Sequence, residues 1–337
     1  MEVDGVVHAV HFLKGVLMVQ RKKLQQPIGG QLDKKSTKHL ACKLWNQRQL
    51  WLMLLPGLLF YLIYRYGPMF GLVISFKDYS PFLGVFESKW VGLEHFERFF
   101  STPKFWELFR NTLTLGCLSL CISFPMTILF ALILNEIRQK KAKKVFQTIS
   151  YLPNFLSIVI VCSIFIDLFS VTHGTINKLI IQFGGAPIDF RAKPEWYYFI
   201  YITSELWAGL GSGAIIYLAA LSGVDHTLYE AADLDGCSRI KKVWHVTLPS
   251  IMPTIITMFL LRVGNIIRIG ADKTLLLYAP TTYEVADIFS SYVYRVGMGD
   301  HDYSFAAAVG MFESVLAALI LVAANKGSKK LTGESLW

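Results

Sequence analysis

Charge is scarce in this chain, and so are the residue groupings that chemistry on a small molecule requires. Only 17% of its 337 residues are charged against 53% hydrophobic, and the mean hydropathy of +0.44 is too apolar for an ordinary soluble domain. The cysteines (Cys42, Cys117, Cys121, Cys162, Cys237) form no C-x-x-C pair, which excludes a zinc ribbon and a disulfide framework. Cys117 and Cys121, at i and i+4, read as small packing residues on one helix face. The histidines are scattered, with no H-x-x-x-H spacing, so a membrane-embedded metalloenzyme has no ligand set. No G-x-x-x-x-G-K-[ST] loop occurs, so the chain carries no recognisable nucleotide site. The net charge of +9 is not interleaved with aromatics on a polar surface, which argues against nucleic acid as a partner. The apolar patch at residues 6–19 is interrupted by His8, His11 and Lys14 and lacks a cleavage site, so it is neither signal peptide nor span. Met18 is an alternative start.

What the chain does have is long apolar runs. Six stretches are long enough to cross a hydrocarbon core of roughly 30 Å: residues 50–76, 112–134, 146–169, 197–221, 253–269 and 303–324. The reading is an all-α integral membrane protein with six transmembrane helices. Its parts are a basic tail (1–49), a first helix with an aromatic-rich interfacial segment (50–111), a five-helix core (112–325) and a short tail (326–337). About twice as many Lys and Arg fall in the tails and in the loops after spans two and four as in the alternate segments. The positive-inside bias therefore places both termini and the 225–250 loop in the cytoplasm.

That loop is the most informative stretch. Residues 227–249 read as two short helices with a sharp break. Thr227 and Glu230 have capping-box spacing, and Gly236 ends the first helix in a left-handed turn. Ser238 is placed to cap the second, which Pro249 marks as finished by Leu248. Ala231 and Ala232 give the first helix a small face that another protein could approach closely.

The order E-A-A-x-x-D-G followed by L-P, carried by Glu230, Ala231, Ala232, Asp235, Gly236, Leu248 and Pro249, resembles the EAA loop of ABC importer permeases. Val246 stands where that family usually has isoleucine. Further matches, among them Tyr66-Gly67-Pro68-Met69, Phe76-Lys77-Asp78-Tyr79, Trp90-Val91-Gly92-Leu93, Asn111-Thr112 and Ser335-Leu336-Trp337, resemble the branch that imports oligosaccharides, including alginate and pectin fragments. The resemblance covers about residue 45 to the end. It implies a MetI-like permease fold in a bacterial cytoplasmic (inner) membrane, with the first span wrapping a neighbour. The implied partners are a second homologous permease, two ABC ATPase subunits, an extracytoplasmic solute-binding protein and membrane lipid. The seven loop residues would couple to the ATPase. ATP and Mg would be bound by that partner, leaving this chain without a cofactor and without catalysis of its own.

Ionisable groups in spans are functional candidates, since each costs roughly 2.5–3.5 kcal/mol at mid-helix on insertion scales. Arg262, Asn265 and Arg268 recur at i, i+3 and i+6 and would line a broad face of the fifth helix, with Lys273 at its outer mouth. They could attract sugar carboxylates. The structural alternative is that Arg262 pairs with Glu205 or Glu313. Arg268 departs from the neutral polar residue common in related permeases, and an added positive charge favours an acidic, uronate-containing oligosaccharide over a neutral one. Trp207 could stack on a pyranose ring or simply pack. Two other readings compete. A neutral-oligosaccharide permease would share the loop but not need Arg268. A secondary transporter should show inverted repeats, and none is visible.

Overall fold

A computed structural model describes residues 48–333. The basic tail up to residue 47, with Met18 and Cys42, and the Ser335-Leu336-Trp337 end lie outside the described residues. The chain divides into two units, Met1–Met69 and Phe70–Trp337.

In the first unit, residues 48–69 are helical throughout. The α-helix Arg48–Tyr61 contains Pro56, widens by one residue per turn over Leu62–Tyr66 and tightens from Gly67 onward. Its apolar run, Trp51–Phe76, is 26 residues long, above the roughly 20 that a bilayer core needs. All side chains of residues 51–69 are exposed, Arg65 included. A helix apolar on every side and buried against nothing in its own unit has lipid or another chain as its surroundings.

The second unit holds the remaining spans: Lys104–Glu136, Pro194–Ser222, Arg239–Gly264 and Tyr303–Lys330, with a bent pair, Lys140–Phe155 and Ile158–Leu168, between the first two. Among the described residues, five helices are long and apolar enough to cross a membrane, and six spans result if the bent pair counts as one. The segment after the first span opens with a two-residue hairpin, β1 (Lys77–Asp78) against β2 (Lys89–Trp90), antiparallel. The short helix α1 (Glu94–Ser101) follows it. Further short helices outside the spans include α2 (Thr175–Gln182), α3 (His226–Leu234) and α4 (Ala271–Leu277).

Several boundaries differ from expectation. The second span starts at Lys104 instead of 112, because Phe105, Leu108 and Asn111 turn inward and continue the helix into what reads as an interfacial segment. The third is not continuous. Pro153 sits in a tight turn, Leu156 and Ser157 are extended, and the two halves meet at 101°. The fifth span covers Arg239–Gly264, not 253–269. The sixth helix runs on to Thr332.

Three apolar clusters join these elements. Phe124, Ala131, Ala214, Tyr217 and Ile251 tie spans two, four and five. Leu115, Val161, Phe165, Ile200, Tyr201 and Leu277 tie spans two, three and four to α4. Phe99, Phe105, Ile267, Phe289 and Phe305 tie α1 and span two to span six. Small residues set the closest approaches: a Cβ on Gly211 would lie 2.2 Å from the Ser150 carbonyl, and one on Gly116 would lie 2.2 Å from that of Ile266. Lipid tails supply no hydrophobic drive between helices, so such backbone contact is a main source of association. Asn111 explains its place in the Asn111-Thr112 motif. It is fully buried, its amide donates to the Glu284 and Asp287 carbonyls at 2.9 and 3.1 Å, and the Thr112 hydroxyl accepts from the Phe289 amide at 3.3 Å.

Candidate functional site

The loop between spans four and five begins with Asp225, whose carboxylate accepts from the Thr227 amide at 3.0 Å and caps α3. These hydrogen bonds hold the Asp225 carboxyl below its ordinary pKa. The expected Thr227–Glu230 capping box does not form. The helix begins at His226, so Thr227 already lies in its first turn, and a carboxylate ahead of it is favoured by the helix dipole. The other end is as expected. Gly236 is left-handed at φ 71°. The Cys237 amide donates to Ala232 at 2.9 Å and the Gly236 amide to Asp233 at 3.1 Å, the paired bonds of a Schellman turn.

Ser238 stands at the head of the next helix in extended conformation, without a side-chain cap. That helix does not finish at Leu248. It widens over Val243–Thr247 and continues through Pro249 to Gly264. The ring of Pro249 and its missing N–H would break a regular helix, but the carbonyl four residues back, on His245, lies in the widened turn. The loop's second helix and the fifth span are therefore one rod, onto which α3 is fastened. Tyr229 Oη meets Thr247 Oγ1 at 3.0 Å, and Lys242 pairs with Asp233.

Glu230, Ala231, Asp235, Gly236 and Pro249 are exposed and Leu248 is half-buried. Ala232 is buried within the chain, so the small face open to another protein is Ala231 alone. His245 is exposed, as expected of a surface residue. The sequence reading missed Leu234, Ile240 and Trp244, which are 90%, 73% and 66% exposed. Large apolar side chains exposed beside a polar motif mark a surface that another protein or the membrane covers.

The second group of candidates lies at the far end of the same rod. The helix stops at Gly264 with Asn265 as its C-cap, so Arg262, Asn265 and Arg268 do not share a helical face. A Cβ on Gly264 would press to 2.8 Å from Leu321, and the chain beyond it leaves the helix until α4. All three side chains are nevertheless exposed. Arg262 Nη1 lies 3.5 Å from Glu205 Oε1, the pairing read as the structural alternative. The same oxygen accepts from Ser119 Oγ at 2.7 Å, a contact no sequence signal announces. The charge of Arg268 acts on the Glu313 carboxylate, which accepts from Ser290 at 3.0 Å. Lys273 on α4 donates to the Tyr201 carbonyl at 2.7 Å and sits 3.9 Å over the Tyr201 ring. Burial brings its ammonium down to about 8, against the Glu205 carboxylate, which opposes the shift. Trp207 is 41% exposed, its ring centroid 5.9 Å from that of Phe165 in a tilted arrangement. The structure thus brings Glu205, Arg262 and Lys273 together and leaves Trp207 and Arg268 as separate flanking groups. No group of three or more His, Cys, Asp or Glu that could hold a metal is found among the described residues.

A second ionic cluster lies outside the predicted site. Fully buried Asp287 takes Arg295 at 2.5 Å, Ser291 at 2.7 Å and Lys104 at 3.4 Å. Its partners are all structural, and together they fasten the start of span two to the segment before span six.

Residues 107–326 match the family described as the inner membrane component of binding-protein-dependent transport systems. The chain belongs to that family. This permease is 44% identical over 304 residues to the polygalacturonan/rhamnogalacturonan transport system permease protein YteP of Bacillus subtilis (strain 168), covering 90% of this chain and 95% of the relative. A solved bacterial ABC transporter involved in the import of the acidic polysaccharide alginate contains a chain 40% identical to the permease. It superposes with a TM-score of 0.80, over 87% of this chain and all but 1% of that one. A second structure of a bacterial alginate ABC transporter, in complex with an alginate pentasaccharide-bound periplasmic protein, matches at 39% identity and a TM-score of 0.80, over 87% of this chain and 98% of that one. The permease is a multi-pass membrane transport subunit with the MetI-like fold.

Proposed function

We propose that this chain forms half of the translocation path for an acidic, uronate-containing oligosaccharide such as an alginate or pectin fragment. A second homologous permease supplies the other half, in a bacterial cytoplasmic membrane. Two ABC ATPase subunits, which hold ATP and Mg, dock on the exposed Glu230–Gly236 loop. An extracytoplasmic binding protein delivers the sugar at the opposite end. The observation that carries this reading is the group of cations at the far end of span five. Arg262, Arg268 and Lys273 fall within twelve residues at the end of span five and just beyond it, two of them exposed, and Arg262 lies within the span, where a bilayer penalises a charge that has no task. An anionic oligosaccharide is drawn to such a group and a neutral one is not. Relatives named for galacturonan and alginate transport carry the same implication.

The test is uptake by the complete complex in proteoliposomes, with matched uronate and neutral oligosaccharides and the cognate binding protein. The wild type takes up the uronate oligomer in preference. Arg268→Asn lowers that uptake about three- to tenfold, the effect of roughly 1 kcal/mol of lost attraction, and leaves ATP hydrolysis without sugar unchanged. Unaltered uronate uptake by Arg268→Asn removes the role given to that residue, and equal uptake of both sugars by the wild type removes the acidic substrate.

A further inference from the structure

Glu205 is an odd neighbour for a group of cations meant to attract carboxylates. It lies on span four and reaches Arg262 on span five, but the two side chains are held very differently. The Glu205 carboxylate is fixed: its Oε1 accepts from Ser119 at 2.7 Å, and the side chain is only 24% exposed. Its Oε2 is buried and accepts no hydrogen bond from any described residue. Arg262 is held loosely. Its Nη1 stands 3.5 Å from Glu205 Oε1, beyond ordinary hydrogen-bond length for an ion pair, and the side chain is 47% exposed. A guanidinium has five donors in a planar fork suited to a bidentate carboxylate. Glu205, with one oxygen committed to Ser119 and the other buried, does not meet that fork.

We propose that Glu205 is an internal stand-in for the substrate carboxylate. Resting on the acidic-oligosaccharide reading above, it is a positioning residue that keeps Arg262 correctly placed when the path is empty, and gives it up to a sugar. A uronate carboxylate is the same chemical group as the one it displaces. Arg262 therefore exchanges one anion for another and is not left without a counter-ion at the end of its span. The carboxylate left behind still has Lys273, whose ammonium feels the Glu205 charge. A neutral sugar has no charge with which to compete for Arg262, so it leaves the pair in place. The competition also weakens the hold on the correct sugar, so that a transporter that must release its cargo does not trap it.

The experiment measures equilibrium binding of a radiolabelled galacturonate trisaccharide, and of the neutral galactose trisaccharide, to the purified complete complex without binding protein. In Glu205→Gln the amide oxygen can still accept from Ser119, so the packing contact survives, and co-purification of all subunits reports assembly. The variant should bind the uronate trimer about fivefold more tightly, the size expected for removing one partly exposed competing charge. The neutral trimer should be unaffected. Arg262→Gln should weaken uronate binding, and the double variant should match Arg262→Gln alone, since the stand-in acts only through that arginine. Glu205→Gln changing neither trimer or both alike, additive effects in the double variant, or uronate binding by no assembled variant overturns the proposal. A wild type that binds both trimers equally instead overturns the acidic-substrate reading, so the two failures are told apart.

Discussion

Lys273 shows how one side chain can be both structural and responsive. Its Nζ is held by the Tyr201 carbonyl and ring, and burial brings it down to about 8 while Glu205 opposes the shift. Tyr201, Cys162 and Glu205 are titratable groups around it. Because the pKa is lowered from the usual lysine value, the charge is present below about pH 8 and lost above it. Uptake of a uronate oligomer by the complete complex is therefore expected to fall as pH rises through about 8. A Lys273→Arg variant, which stays charged throughout, should flatten that limb of the profile. An identical fall in both proteins would assign it to another subunit. The rarity of charge in a span singled out Arg262 in the sequence, and the structure sets it beside Glu205. Residue-type signals were not enough to show that Ser119 holds Glu205, because serine is common in membrane helices and nothing in its neighbourhood marks it.

At the scale of elements, the 225–250 loop is built from two kinds of bond, whose sequence signatures differ in clarity. The Schellman turn at Gly236 needs a residue that tolerates φ 71°, and glycine at that point in an EAA motif announces it. Gly236→Asp puts a charged, branched side chain into the left-handed position at a cost of about 1–2 kcal/mol of local strain. A Cβ there meets nothing within the chain, so the chain itself should still fold. The expected result is co-purification of both permeases with loss or uncoupling of the ATPase; an ATPase that binds and responds to sugar normally would remove the docking role from the loop. The cap was misread because Thr-x-x-Glu and Asp-x-Thr overlap there, and only the observed start at His226 decides between them. Pro249 misled for a different reason. Proline ends a regular helix, and a sequence does not reveal the extra residue over Val243–Thr247 that accommodates it. The same blindness joined the halves of the third span and carried the fifth to residue 269, since hydropathy is indifferent to a bend between two apolar helices.

For the whole molecule, the apolar runs made the membrane class and the segments legible, while the family pattern pointed to the fold. The packing was not legible, because it depends on backbone contacts such as Gly211 on Ser150 that hydropathy does not encode. The chain as a whole has the look of a part. Its first unit presents an apolar helix exposed on every side, and the 225–250 loop offers large apolar groups to solvent. Purified alone in detergent it should hydrolyse no ATP. Reconstituted with the second permease, the ATPase subunits and sugar-loaded binding protein, it should support hydrolysis that rises severalfold over the unloaded state. Sugar uptake driven by an ion gradient, with no dependence on ATP, would instead favour a secondary transporter.

The rod Arg239–Gly264 has an uneven build. Four residues, Arg239–Lys242, precede the widened turn, and seventeen, Leu248–Gly264, follow it. At 1.5 Å per residue these are arms of about 6 and 25 Å on either side of a natural joint. A tilt about that joint moves the Arg262 end about four times as far as the loop end. An ångström of displacement at the loop end would then become about 4 Å at the Arg262 end, which makes the helix a gear as much as a link.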